Sequence, residues 1–145
     1  MRKRPSTIGE LMTPCPVSIR ADQSMAEAHR LMRSHGVRHL PVVAEDRVVG
    51  VVSLGDLRLL ESIGDVHIDE VPVEEAMAEH PYMVWADTPV AEVLDHMIER
   101  RLGAALVVDQ ASLERGRVAG IFTAVDAMQA LKQMTATETS TGEGS

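Results

Sequence analysis

Arg47-Val-Val-Gly-Val-Val-Ser-Leu-Gly-Asp56 decides the fold, because it returns later in the chain as Arg117-Val-Ala-Gly-Ile-Phe-Thr-Ala-Val-Asp126. Each copy is an apolar, β-branched run that ends on a hydroxyl residue, Ser53 or Thr123, with Asp56 or Asp126 three positions further on. The run has the composition of a buried strand. The hydroxyl-x-x-carboxylate spacing is a helix-start signature. The local reading is strand, sharp turn, helix, with the polar pair at the corner. Such a corner gathers backbone N–H groups, a hydroxyl and a carboxylate, which suits a ligand carrying a sugar diol and a phosphate. The same residues also make a plain capping box that only satisfies the helix terminus.

Working outward, the repeat extends over most of the chain. A displacement of 65 superimposes residues 8–43 on 73–108 with ten identities, among them Met12/Met77, Pro16/Pro81, Asp22/Asp87, Glu27/Glu92 and Met32/Met97. A displacement of 70 superimposes residues 47–60 on 117–130 and adds Arg47/Arg117, Val48/Val118, Gly50/Gly120 and Asp56/Asp126. The difference falls in residues 109–116, a polar stretch read as a tolerant surface hairpin.

Each half reads alike. A short amphipathic turn (residues 8–12 and 73–77) leads past Pro16 or Pro81 into a short strand at 17–19 or 83–85. Ser24-Met-Ala-Glu27 is a capping box opening a helix to about His35, with Met25, Ala28 and Met32 at helical spacing. In the second half Thr88 is the expected cap, Pro89 the first helical residue, and Val90, Val93, Leu94 and Met97 the apolar stripe. Gly36 and Gly103 lie where a left-handed helix end favours glycine. Strands follow at 39–43 and 48–52, joined by Ala44-Glu-Asp46, and at 105–108 and 118–122. Closing helices begin at Ser53 and Thr123.

The expected fold is therefore α/β (α+β), two β-α-β-β-α repeats packed sheet to sheet with pseudo-two-fold symmetry. Residues 1–7 are an N-terminal extension, 8–65 the first repeat, 66–134 the second, and 135–145 a tail whose composition predicts disorder. A half of this size has no comfortable core alone, and joining two leaves two related clefts.

Composition excludes several function classes. The net charge is −8 and the aromatic residues are Tyr82, Trp85 and Phe122, so a basic, ring-lined nucleic-acid surface is not expected. No apolar run approaches the ~18 residues of a membrane span, and the basic start Met1-Arg-Lys-Arg-Pro5 lacks an apolar signal core. Cys15 is the single cysteine, which rules out an intrachain disulfide and a cysteine metal knuckle; a cytoplasmic location is expected. Set between Pro14 and Pro16, Cys15 reads as a turn residue rather than a nucleophile. His35 and His39 are four apart but are divided by Gly36, with no third ligand, so no metal site is expected. The sequence offers no nucleophile–base pair and no Gly-rich phosphate loop, so neither catalytic residues nor a required cofactor are expected.

The pattern resembles a tandem pair of CBS domains, named for cystathionine β-synthase, of the small stand-alone bacterial kind. The resemblance rests on Val37-Arg-His-Leu-Pro-Val-Val43, on Val49-Gly-Val-Val-Ser-Leu-Gly-Asp56, and on the matching Ala105-Leu-Val-Val108 and residues 119–126, and it covers residue 8 to about 132. It implies a non-catalytic regulatory module, a homodimer, whose clefts bind AMP, ADP, ATP or S-adenosylmethionine and signal to a protein partner. By the family pattern Asp56 and Asp126 would bind ribose hydroxyls, and Ser53 and Thr123 phosphate or ribose. Arg38 and His39 would meet further phosphates. Val17 and Ser18, or Tyr82 and Met83, would line the adenine slot, with Leu40 and Ala105 at equivalent lining positions. The second repeat has Gly103-Ala-Ala-Leu106 in place of Arg38-His-Leu-Pro41. The Asp56 cleft is therefore expected to accept phosphate and the Asp126 cleft to be weaker, empty or suited to a less charged adenosyl ligand. The alternative is a ligand-independent dimerisation or protein-interaction module.

Overall fold

Gly50 and Gly120 show how the halves interlock. A Cβ at Gly50 would stand 2.5 Å from Met77 Sδ and 2.7 Å from the Ala78 carbonyl; at Gly120 it would stand 2.5 Å from Met12 Sδ and 2.7 Å from the Thr13 carbonyl. Each glycine thus lies beneath the leading segment of the opposite half, and the paired identities in the sequence are this contact made twice. Residues 6–14 and 17–143 are described by the structure, a computed structural model; Met1 to Pro5, Cys15, Pro16, Gly144 and Ser145 lie outside the described residues.

In the first half, α1 (Ile8–Leu11) and β1 (Thr13–Pro14) precede β2 (Ile19–Arg20), α2 (Met25–His35), β3 (His39–Ala44), β4 (Arg47–Ser53) and α3 (Leu54–Ser62). The second half runs α4 (Val73–Ala76), β5 (Ala78–Glu79), β6 (Met83–Trp85), α5 (Val90–Arg100), β7 (Ala104–Val108), α6 (Gln110–Glu114), β8 (Gly120–Thr123) and α7 (Ala124–Glu143). The strands form two four-stranded sheets, β1-β8-β7-β6 and β2-β3-β4-β5. Strands β2 and β6 join β3 and β7 in parallel through α2 and α5. Strands β1 and β5 add antiparallel to β8 and β4, the far edges of the other half's sheet. The exchange is held by matching backbone bonds: Ile8 N–H to Thr88 C=O (2.8 Å) and Val90 N–H to Ser6 C=O (3.0 Å), against Val73 N–H to Gln23 C=O (2.7 Å) and Met25 N–H to Val71 C=O (2.8 Å).

The cores follow the same exchange. Ile19, Met25, Met32, Leu40, Val52 and Leu57 form the first, closed by Val73 of α4. Val84, Val93, Met97, Val107 and Phe122 form the second, closed by Ile8 of α1. Between the sheets Leu106, Val108, Val118 and Ile121 meet Val48 and Val51, so apolar faces that neither half could bury alone cover each other.

Several local expectations are corrected. Strand β2 begins at Ile19 rather than residue 17. Residues 109–116 are not a hairpin: Asp109 and Ser112 form a reciprocal capping box that opens α6. Thr88 is not the cap of α5. Pro89 holds the N-cap position, and the first helical N–H, from Val90, already has the Ser6 carbonyl as partner. Gly36 ends α2 in the left-handed region (φ 63°), but in the second half Arg101 does so (φ 56°), not Gly103. The last helix, α7, runs to Glu143, and Thr135 Oγ1 donates back to the Leu131 carbonyl at 3.0 Å.

Candidate functional site

Both hydroxyl-x-x-Asp corners sit where a strand turns into a helix. At the first, Ser53 N–H and Oγ donate to Asp56 Oδ2 at 2.8 and 3.0 Å, while Asp56 N–H donates to Ser53 Oγ at 3.1 Å. At the second, Thr123 N–H and Oγ1 donate to Asp126 Oδ2 at 2.9 and 3.3 Å, and Asp126 N–H returns to Thr123 Oγ1 at 3.3 Å. Each corner is therefore a capping box, with a carboxylate that keeps one oxygen outside it. The corners differ in what meets that oxygen. Thr13 Oγ1, arriving on exchanged strand β1, donates to Asp126 Oδ1 at 2.9 Å. The residue in Thr13's place on β5 is Ala78, and among the described residues no group donates to Asp56 Oδ1.

A cavity of about 580 Å³ opens over the Thr123–Asp126 corner. Its lining combines Thr13, Pro14, Ile121, Thr123 and Asp126 with residues 36–39 and Gly103. Arg38 and His39 thus line the cavity over the Asp126 corner, while His39 also stands in register with Ser53 and within electrostatic reach of Asp56. Residues of the first half, 36–39, therefore share one cavity lining with Thr123 and Asp126 of the second. Arg38 is exposed and His39 half-buried. Burial holds the His39 imidazole below its ordinary value, although Asp56 and Asp126 both favour the imidazolium; Arg38 opposes it. The lining brings together a guanidinium and an imidazole whose charged form burial disfavours with a carboxylate and two hydroxyls, a set that can accept both an anionic group and hydrogen-bond donors.

The remaining expected residues scatter. Leu40 and Ala105 are fully buried in the cores of their own halves, so they support strand packing rather than a cleft. Val17 and Ser18 line a second cavity of about 500 Å³ with Ser112, Arg115 and Arg117. Tyr82 stacks on His96 of α5 with centroids 4.4 Å apart and planes 23° from parallel. Burial, and then Glu92, keep its phenol above the ordinary value. Thr13 and His96 were not singled out from sequence. Thr13 was open to detection as a hydroxyl, aligned with Ala78, at the head of the short strand that pairs with β8; nothing marked His96. Among the described residues no His, Cys, Asp and Glu cluster could hold a metal ion, and no helix is long and apolar enough to cross a membrane.

Residues 8–61 and 73–133 each match the family model for the CBS domain. The chain belongs to the CBS-domain family. The uncharacterized protein YlbB of Bacillus subtilis (strain 168) is 40% identical over 65 residues, 43% of this CBS pair and 44% of the relative. The CBS pair spans less than half the length of the curated relatives it matches first. Among solved structures, the CBS domain pair of protein MJ0100, in complex with 5′-methylthioadenosine and S-adenosyl-L-methionine, is similar with a TM-score of 0.76 at 23% identity, covering 90% of this chain and 99% of that one. CBSX2 in complex with AMP is similar with a TM-score of 0.71 at 26% identity, covering 88% and 97%.

Proposed function

We propose that this CBS pair is a non-catalytic, cytoplasmic regulatory module that binds an adenosine compound bearing phosphate in the Asp126 cavity and passes its occupancy to a protein partner. The observation that carries the reading is the shared lining of that cavity: Thr123 and Asp126 of one half face Arg38 and His39 of the other. Asp126 accepts from the ribose hydroxyls, Thr13 and Thr123 steady its carboxylate, and Arg38 and His39 meet the phosphate. The volume is within the range of small-ligand sites, roughly 300–1,000 Å³. The AMP complex of CBSX2, a relative in fold and sequence, favours the same ligand class. The Asp56 corner has Gly103 and Ala104 where Arg38 and His39 would stand by symmetry, and so takes a neutral or cationic adenosyl compound if any.

The experiment is a thermal-shift screen against AMP, ADP, ATP, adenosine and S-adenosylmethionine. A ligand at ~100 times its dissociation constant adds about 2.7 kcal/mol. Asp126→Ala is expected to abolish the shift given by AMP. A full AMP shift in that variant would end the assignment.

We also infer a homodimer, from an unpartnered apolar stripe on α7: Val125, Met128 and Leu131 are 50%, 61% and 61% exposed at helical spacing. Met128→Glu is expected to halve the mass seen by light scattering; a monomeric parent protein would remove this part of the reading.

A further inference from the structure

His39 touches both halves of the site, and its place in the sheet says how. It is the first residue of β3 and stands in register with Ser53, the last residue of β4 and the N-cap of α3. The preceding carbonyl, of Arg38, accepts from Leu54 N–H at 2.8 Å, which ties the approach to β3 into the first turn of the helix that carries Asp56. Arg38 and His39 also line the cavity over Thr123 and Asp126, and the His39 ring feels the charges of both Asp56 and Asp126. One short segment is thus bonded to the Asp56 corner through its backbone and forms part of the wall of the Asp126 cavity. The equivalent place in the other half holds Ala104, in register with Thr123, so the device exists once.

Resting on the reading of the Asp126 cavity as a phosphate-accepting site, we propose that His39 couples the two corners: an anionic group bound against Arg38 and His39 draws a proton from solvent onto the imidazole, and the new cation beside Asp56 alters what that corner binds. The charged groups facing His39 are Asp56 on α3, Asp126 on α7 and Arg38 beside it. The two carboxylates favour the imidazolium, while burial, the leading cause, and Arg38 favour the neutral ring. A bound phosphate adds a third anion and offsets Arg38, so it tips this balance towards protonation. By linkage, a ligand that promotes proton uptake binds more tightly as pH falls. The imidazolium in turn makes the Asp56 corner less attractive to a cationic occupant and more attractive to an anionic one.

The test is calorimetric titration of the full chain with AMP in buffers of different ionisation enthalpy, between about pH 8 and about pH 6, where imidazole titrates. The parent protein takes up a fraction of a proton per AMP, and its affinity rises roughly three- to tenfold across that range, within the limit set by one linked proton. His39→Gln binds AMP more weakly, through Arg38 and Asp126, and lacks that component; the titration of the phosphate itself is common to both proteins and cancels. Asp56→Asn, outside the AMP cavity, reduces the uptake in the parent and has no effect on it in the His39→Gln background. AMP binding with the same proton balance in parent and His39→Gln would overturn the coupling and leave the ligand reading standing, as would an Asp56→Asn effect that persists without His39. Absence of AMP binding at every pH would overturn the ligand reading, and the coupling with it.

Discussion

Ala78→Thr is expected to stabilise the chain, because it supplies at the Asp56 corner the tie that Thr13 makes at Asp126. Thr13 Oγ1 donates to Asp126 Oδ1 at 2.9 Å, between exposed groups. A hydrogen bond to a charged acceptor contributes about 1.5–3 kcal/mol when sheltered; solvent competition at this site brings it to about 0.5–1 kcal/mol. Thr13→Ala therefore loses about that much, and a double-mutant cycle with Asp126→Ala returns a coupling of about 0.5–1 kcal/mol. Ala78 pairs with Val51 on an exposed edge strand, where a β-branched residue is tolerated at least as well as alanine. Ala78→Thr should gain about 0.5–1 kcal/mol, roughly 1–4 °C in Tm for a chain of this size, and lose that gain when Asp56 is alanine. The assay is urea unfolding followed by circular dichroism, comparing midpoints at constant m. If Thr13→Ala cost as much without Asp126 as with it, exchanged strand β1 would not be fastened to the second corner.

Two further outcomes follow from the same geometry. Arg101→Gly should stabilise by about 0.5–1 kcal/mol, because a left-handed non-glycine residue costs about 1–2 kcal/mol, part of which glycine's unfolded-state freedom cancels; an unchanged melting curve would refute the strain at that helix end. His39, with its pKa lowered in the folded chain, binds fewer protons there than when unfolded, so stability is present above the unfolded value of about 6.5 and falls as pH drops below it. His39→Gln should flatten that decline in denaturation midpoints measured from pH 7 downwards, and an identical decline in both proteins would assign it to other groups.

The repeat made the architecture legible, since Asp56/Asp126, Gly50/Gly120 and Met12/Met77 are visible as identities. Their meaning was not. Gly50 meets Met77 and Gly120 meets Met12, contacts that cross between halves and leave no local periodicity to read. The same kind of contact between halves brings Arg38, nearer in sequence to Asp56, into the lining of the cavity over Asp126, which the linear sequence does not display. At Arg101 the glycine preference of helix ends pointed to the neighbouring Gly103, although the repeat displacement aligns Arg101 with Gly36. Thr88 failed as a cap for a physical reason: Ser6 supplies the acceptor through an isolated backbone pairing of residues 7 and 89. At residues 109–116, polar composition outweighed the Asp109-x-x-Ser112 spacing, which the structure uses as a capping box.

The measurement that bears most directly on the central claim is a crystal structure of the chain with AMP. The account predicts the phosphate within hydrogen-bonding reach of Arg38 and His39 and the ribose hydroxyls on Asp126. A phosphate seated at the Asp56 corner, away from Arg38, would contradict it.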